Sequence, residues 1–420
     1  MLTALLLLLF WWCLILVLLW FWKGDLFRRT WREPYFADTP VLIESDDWGP
    51  GGDCHTTRLR GLLACLARHR DSSGRRAVLT ADTVLAVPDI PAIRAARPTR
   101  YRRRYLDDAF PAIHAEMRAG MAAGTLVPQL HGLEHLNGDA FAALYATGDP
   151  RVQPAFGDDG WWDWESLDSP LQGHYVDGSR LPTTPLPRER AEAIVNTACD
   201  RFERMFGQPS RTTVAPCYLW NDAIEDLWRQ HGITAIQTAG YRCTGRDANG
   251  HYHQDPPLIR PGERSASGQI YLVRNVMYEP VDGRNTPESA LDEAMAAVRQ
   301  ALPVTLSTHR YNYTRDEGAY RTSLEGLDRL LTQIEERIPG LRYLASPELA
   351  AAILAPEGPV RNAFNGEHFP PLRPLQGRRK VAPFLQRLWR RHPKLRLLAA
   401  VTGLALPLFL AARFSSRPSR

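Results

Sequence analysis

Residues 126–139, "LVPQLHGLEHLNGD", decide how the rest of this chain is read. At the centre, His131, Glu134 and His135 spell H-x-x-E-H. Inside a helix that string places two imidazoles on one face with a glutamate beside them, as in the inverted zinc peptidases. At the end of a strand, the same imidazoles converge on one metal ion from a turn. The flanking residues favour the turn. Leu126, Val127 and Leu130 precede it in strand fashion, Gly132 lies inside it, and Asn137-Gly138 follows almost at once. Glycine and Asn-Gly end helices rather than build them. Glu134 then supports the turn locally and is not a catalytic base.

Outward from this stretch, short apolar runs alternate with amphipathic ones over residues 39–356. "PVLIES", "RRAVLTAD", "TLVPQL", "RTTVAP", "ITAIQT", "IYLVRNV", "VTLSTH" and "LRYLAS" read as strands. Between them, "TTRLRGLLACLARHR", "FPAIHAEMRAGMAAG", "RERAEAIVNTACDRFERMFG", "NDAIEDLWRQHG", "PESALDEAMAAVRQA" and "SLEGLDRLLTQIEERI" carry helical spacing. Strands alternating with helices imply a parallel sheet with crossovers, and this many units favour a barrel over an open sheet. Residues 150–187 break the pattern as an insert rich in Trp, Asp and Pro, with "DDGWWDWES" inside it.

Polar residues fall at matching places on that series. Asp46 and Asp47 follow the first strand, and His131 and His135 follow "TLVPQL". "APCYLWN" follows "RTTV", and His309 closes "VTLSTH". All four groups lie just past the C-terminal ends of strands, the face on which parallel barrels gather catalytic residues. Two imidazoles and one carboxylate leave open positions on a divalent metal, as catalytic sites require. Asp46 is placed to take a proton from water, and His309 to protonate a leaving amine. The backbone at Cys217 or Tyr218 is the candidate for holding an oxyanion.

These motifs, in this order, resemble the polysaccharide deacetylase family, carbohydrate esterase family 4. "ESDDWG" is similar to the family's T/S-F-D-D-G, "HGLEH" to H-x-x-x-H, "VAPCY" to R-x-P-F/W-G/S and "LSTH" to L-x-x-H. The resemblance implies a distorted seven-stranded (β/α) barrel. It also implies Asp47, His131 and His135 as metal ligands, Asp46 as base, His309 as acid and Zn2+ as the expected ion. It departs from the pattern at Glu44, Ser45 and Trp48. At Val214 the family has the arginine that orients its base, and Arg211 and Arg242 are the candidates to replace it. No segment matches the fourth motif. The implied substrate is an N-acyl, first of all N-acetyl, amino sugar in a polysaccharide or lipid-linked saccharide. Trp161, Trp162 and Arg310 are candidates for touching it, although tryptophans this dense also pack loops onto barrels. Three other readings stay open: a zinc peptidase using "HGLEH", a barrel glycoside hydrolase without metal, and an inactive saccharide-binding barrel. No phosphate loop and no nucleophilic-serine elbow is present.

The ends have a different character. Residues 1–22 carry no charged side chain, and at ~1.5 Å per residue a helix of that length crosses a ~30 Å hydrocarbon core. It lacks the charged start and cleavage site of a signal peptide and reads as an anchor. A linker over residues 23–38 leads into the barrel. Residues 357–396 are rich in Pro and basic residues, with "PFLQRLWRRH" reading as an amphipathic helix on anionic lipid. The apolar run 397–412 contains Pro407 and fits a re-entrant or interfacial segment as well as a span. The positive-inside rule leans the central domain toward the cytoplasm, with the extracytoplasmic side left open. The expected partners are a saccharide and membrane lipids. Nucleic acid is not expected, because the noted basic residues sit beside lipid-seeking sequence. Six cysteines, one of them in the anchor, form no disulfide framework.

Overall fold

The structure is a computed structural model and describes residues 2–415 apart from 158–160, 256–257, 357, 359, 364–365 and 367. Its centre is one parallel sheet. The strands are β1 (Thr39–Trp48), β2 (Leu79–Thr83), β3 (Leu126–Leu130), β4 (Thr212–Thr213), β5 (Ala235–Thr238), β6 (Ile270–Val273), β7 (Val276–Met277), β8 (Val304–His309) and β9 (Leu341–Tyr343). They lie in the order β6-β5-β4-β3-β2-β1-β8-β7, with β9 pairing the start of β1. The two edge strands, β6 and β7, are separated by only Arg274 and Asn275. Arg274 N–H still donates to Thr238 O of β5 at 2.9 Å, while Asn275 N–H donates to Thr305 O of β8 at 3.3 Å. One extended segment therefore changes partner halfway along and closes the sheet on itself. The result is the expected distorted (β/α) barrel.

Helices cover the outside: α2 (Asp53–Leu66), α3 (Pro111–Ala122), α4 (Arg188–Phe206), α5 (Asp222–Gln230), α6 (Pro287–Arg299) and α7 (Glu317–Arg337). Their starts are set by sequence. Asn221, Thr286 and Asp316 each accept the backbone N–H three residues on, capping α5, α6 and α7. Because helices and barrel interior cover both faces, the strands are buried along almost their whole length, polar residues such as Thr80 and Asp82 of β2 included. The main core packs Ile43, Leu79, Leu130 and Leu306 with Trp220 and Trp228 and the inner faces of these helices.

At the N-terminus, α1 (Leu2–Arg32) is long and apolar enough to cross a membrane, is unburied along its apolar stretch, and is broken at Lys23. After it the chain enters the N-terminal end of β1. Near the C-terminus, α8 (Val381–Arg391) packs against this junction. Arg387 is fully buried there: it donates to Glu33 at 2.8 Å and to the carbonyls of Gln300, Ala301 and Pro34. The central arginine of "PFLQRLWRRH" thus clamps the helix to the barrel and does not face lipid. The apolar run that follows is not straight: Pro393–Val401 and Ala405–Ser415 meet at 111°.

Candidate active site

The strand ends bring the sequence candidates together. In register, Asp46 on β1 lies beside His309 on β8. Asp47 follows at φ 70°, a left-handed conformation that non-glycine residues rarely hold. This turns its carboxylate toward the loop after β3. That loop contains no helix, and Gly132 at φ 80° makes its bend. His131 Nε2 and His135 Nε2 each stand 3.4 Å from Asp47 Oδ1. "HGLEH" is therefore a turn, and the helical geometry that a zinc peptidase needs is absent.

The three groups fit a divalent cation. Their ligand atoms all lie within 4.8 Å of one another, and Asp47 Oδ1 is buried without a hydrogen-bond partner. His131 Nδ1 donates to the Val214 carbonyl at 2.9 Å, which leaves its Nε2 lone pair facing Asp47. Burial pushes His135 down to about 4, so this imidazole is neutral, the form that binds metal. A buried carboxylate oxygen beside two imidazole nitrogens, with no hydrogen-bond partner of its own, is an arrangement that a cation satisfies.

Asp46 is held differently. Arg274, at the point where β6 passes into β7, donates to both of its oxygens at 2.6 and 2.7 Å. The same guanidinium reaches Glu44 at 2.7 Å, Asp82 at 2.9 Å and the Tyr218 hydroxyl at 3.1 Å. Burial alone would raise the Asp46 carboxyl, but Arg274 overrides it and holds the group at about 2. Arg274 is thus the arginine that holds Asp46, at a position the sequence analysis did not single out. Arg211 and Arg242 do not replace it: Arg242 pairs with Asp222, Glu225 and Asp255, and Arg211 contacts none of these carboxylates. The signal was present in "IYLVRNV", an arginine directly after a strand.

His309 has a partner that the sequence reading also missed. Its Nδ1 lies 2.6 Å from Glu279 Oε1, and its Nε2 points toward Asp46 Oδ2 at 3.7 Å. Burial would lower this imidazole, but Glu279 first, then Asp46 and Asp47, push it up to about 10. It is cationic at neutral pH and carries a proton to give. Glu279 is fixed in turn by the Asn312 amide.

Other candidates have different places. Glu134 is buried against Tyr101 and Arg103, the latter at 3.0 Å, and ties the metal loop to its neighbour. Arg310 is fully buried, donates twice to Asp163 and once to Pro50 O, and lies 4.4 Å from the Trp164 ring. It pins the insert to the barrel and does not present itself to a substrate. Trp164 stacks on His135 at 6.0 Å, while Trp161 and Trp162 pack edge-on or tilted against Phe110 and Phe141. The Tyr218 N–H is taken by Ala215 O at 2.9 Å, so Cys217 is the remaining backbone candidate from that turn. Burial pushes the Cys217 thiol up to about 12, which makes it inert as a nucleophile. Because Glu134 serves only the loop, Glu134→Gln should leave the metal content unchanged. It should lower stability by about 2 kcal/mol, less than for a wholly enclosed pair because Arg103 keeps access to water. Metal analysis and thermal melting of the variant check both.

No protein-family model matches the chain, and no curated protein does. Among solved structures it is similar to a family 4 carbohydrate esterase from Streptomyces lividans, at 10% identity and TM-score 0.35 over 80% of this chain and 99% of that one. It is similar to the peptidoglycan deacetylase PdaC from Bacillus subtilis at 11% identity and TM-score 0.35, over 76% and 94%. It is also similar to a 4-alpha-glucanotransferase from Thermococcus litoralis at 10% identity and TM-score 0.41, over 84% and 47%. Likeness at this level settles neither substrate nor chemistry.

Proposed function

We propose that this chain is a metal-dependent N-deacylase of amino sugars, with acetyl the first candidate acyl group. The observation that carries the reading is one juxtaposition: the Asp47, His131 and His135 cluster lies beside a carboxylate locked on arginine and an imidazole locked on glutamate, which themselves stand 3.7 Å apart. A divalent cation held by the cluster, Zn2+ by the donor set, would supply Lewis acidity to water and to the acyl carbonyl.

The chain's own groups complete the reaction. Asp46, kept ionised and fixed by Arg274, accepts the proton that the attacking water loses. A C–O bond forms at the acyl carbon and the C–N bond breaks. His309 Nε2–H gives its proton to the departing nitrogen, because an amide cannot leave as an anion. The products are a carboxylic acid and a free amine. A glycosidase would need two acids free to act on one bond. Here Asp46 and Asp82 share one guanidinium, which disfavours that reading.

Acetate release from N-acetylglucosamine oligomers by the purified full chain in detergent, loaded with Zn2+, tests the proposal. Metal uptake with no release from any acylated sugar would leave a binding barrel. The apolar α1 extends the reading to a glycan handled at a membrane. A lipid-linked substrate requires faster turnover of a polyprenyl-linked saccharide than of the free one, and equal rates remove it.

The acid role predicts a pH signature. His309 faces Glu279, Asp46 and Asp47, and its raised value places the loss of the catalytic proton near pH 10. For stability the sign is the same: the gain from the His309–Glu279 pair is complete below the imidazole's ordinary 6.5 and disappears as pH rises through about 10. Glu279→Gln removes the largest upward influence. The alkaline limb of kcat/KM should then move down by a unit or more, with the metal content unchanged. A limb that stays in place would take the proton-donor role from His309.

A further inference from the structure

A second cavity, of about 380 Å³, opens between the loop after β1 and the insert. Trp161, Trp162 and Phe110 are among its walls, Asp53 is the acid among its lining residues, and Arg94 and Arg104 line it while remaining exposed. These two arginines bound residues 94–104, "RAARPTRYRRR", which hold six arginines and no acid. It is a strongly basic segment inside the barrel region, whereas the sequence reading had placed the basic residues at the ends of the chain.

Among the described residues only one of the six, Arg103, is paired with a carboxylate, that of Glu134. Arg94, Arg97 and Arg102 donate to backbone carbonyls of Phe156, of Arg94 and Ala96, and of Tyr101. Arg104 lies over the Phe110 ring at 4.8 Å. The buried arginines Arg274, Arg310 and Arg387, by contrast, each meet a carboxylate. Crowded like charges repel; among the described residues the ion pair to Arg103 leaves the other five arginines without a carboxylate partner, and an external anion would offset them. Guanidinium groups also match carboxylate and phosphate oxygens in pairs, which ammonium groups do not.

The cavity lies close to the candidate site. Trp161 meets Trp164 edge-on at 6.3 Å, and Trp164 stacks on His135 at 6.0 Å. Trp164 is buried, whereas Trp161 and Trp162 are half-buried, so a chain of sugars reaching the site from this side would meet those two rings. The segment follows the C-terminal end of β2, whereas α1 joins the N-terminal end of β1, so the arginines stand at the barrel pole opposite the anchor. That placement favours a glycan over a lipid headgroup as the source of the anion.

We propose that Arg94 and Arg104, with Trp161 and Trp162, form a subsite for an anionic glycan, gripping a carboxylate or phosphodiester a few sugar units from the one deacylated. The proposal rests on the N-deacylase reading for its placement along the substrate. Binding is measured with the full chain in detergent by tryptophan fluorescence and calorimetry. The probes are an oligomer alternating N-acetylhexosamine with uronic acid, a phosphodiester-linked glycan, a neutral N-acetylglucosamine oligomer and phosphatidylglycerol vesicles. The wild type should bind one or both anionic glycans at least about tenfold more tightly than the neutral oligomer at low salt, and the margin should shrink as salt rises. Both arginines are exposed, so Arg94→Ala/Arg104→Ala should fold and lose that margin while binding the neutral oligomer as before. The anionic probe that responds tells carboxylate from phosphate. Equal affinity for charged and neutral oligomers, an equal loss on both in the variant, or arginine-dependent binding to the vesicles alone would overturn the proposal. An anion preference without acetate release would sink the deacylase reading and leave the subsite standing. Turnover of neutral oligomers with no anion preference would do the reverse.

Discussion

The Asp47→Ala variant is expected to fold, to lose its metal and to lose all measurable deacylation. Loss of a residue that merely supports a ligand costs a metal site 10–100-fold in affinity, so removing one of three ligands should cost more than about 100-fold. A readout independent of turnover follows from linkage. A cation that binds only the folded chain stabilises it by about 2.7 kcal/mol at 100 times its Kd. Wild-type melting temperature should therefore climb as Zn2+ is added and fall back with a chelator, while the variant stays flat. Without metal the comparison should narrow or reverse, because the substitution removes a buried carboxylate oxygen that has no hydrogen-bond partner. His131→Ala and His135→Ala should behave alike, although His131 lies more than eighty positions from Asp47. A variant that melts with the same Zn2+ dependence as wild type would take Asp47 out of the metal's coordination sphere.

Legibility in the sequence followed how local each signal was. The barrel could be read because buried parallel strands carry short apolar runs, as "PVLIES" and "TLVPQL" do, while "VTLSTH" is read from its β-branched residues. The turn at "HGLEH" could be read because Gly132 refuses a helix and does hold a positive φ; Asn137-Gly138 instead opens the helix Gly138–Ala146, with Asn137 as its cap. What escaped were pairings made across the barrel. Arg274 meets Asp46 from 228 positions away, and Glu279 meets His309 from 30. No spacing rule links such residues; only barrel closure does. Arg310 was misread for a related reason. Its position directly after a candidate acid suggested contact with substrate, yet its side chain is consumed by Asp163 from the insert. A position at a strand end marks which residues face the catalytic pole, but not which of them remain free once the loops have packed.

Arg274 carries the other large effect. Three carboxylates, Glu44, Asp46 and Asp82, converge on one guanidinium with essentially no exposure to water. Removing one member of a buried ion pair typically costs about 3–5 kcal/mol, because the partner is left charged and unsolvated. With three partners stranded, Arg274→Met should lose at least that much near neutral pH, a large part of a typical domain's stability. The contribution of Asp46 to the pH dependence should change sign. In the wild type Asp46 is held at about 2, below its ordinary 3.8, so its contribution is present above 3.8 and is lost as pH falls through about 2. Without Arg274 the same burial raises Asp46 above its unfolded value and raises Asp82 beyond the elevation that burial and the Asp46 charge already give it in the wild type. They then destabilise the fold at neutral pH, and the penalty is relieved as they protonate on acidification. The melting temperature of Arg274→Met should therefore rise between pH 7 and pH 5, over a range in which Asp46 gives the wild type no such gain. Arg274→Lys keeps the charge but not the paired geometry. It should fold, hold metal and still lose turnover, because Asp46 is no longer fixed where water is attacked. If Arg274→Lys matched the wild-type rate, the arginine would be a structural counter-ion only, and another group would have to orient the base.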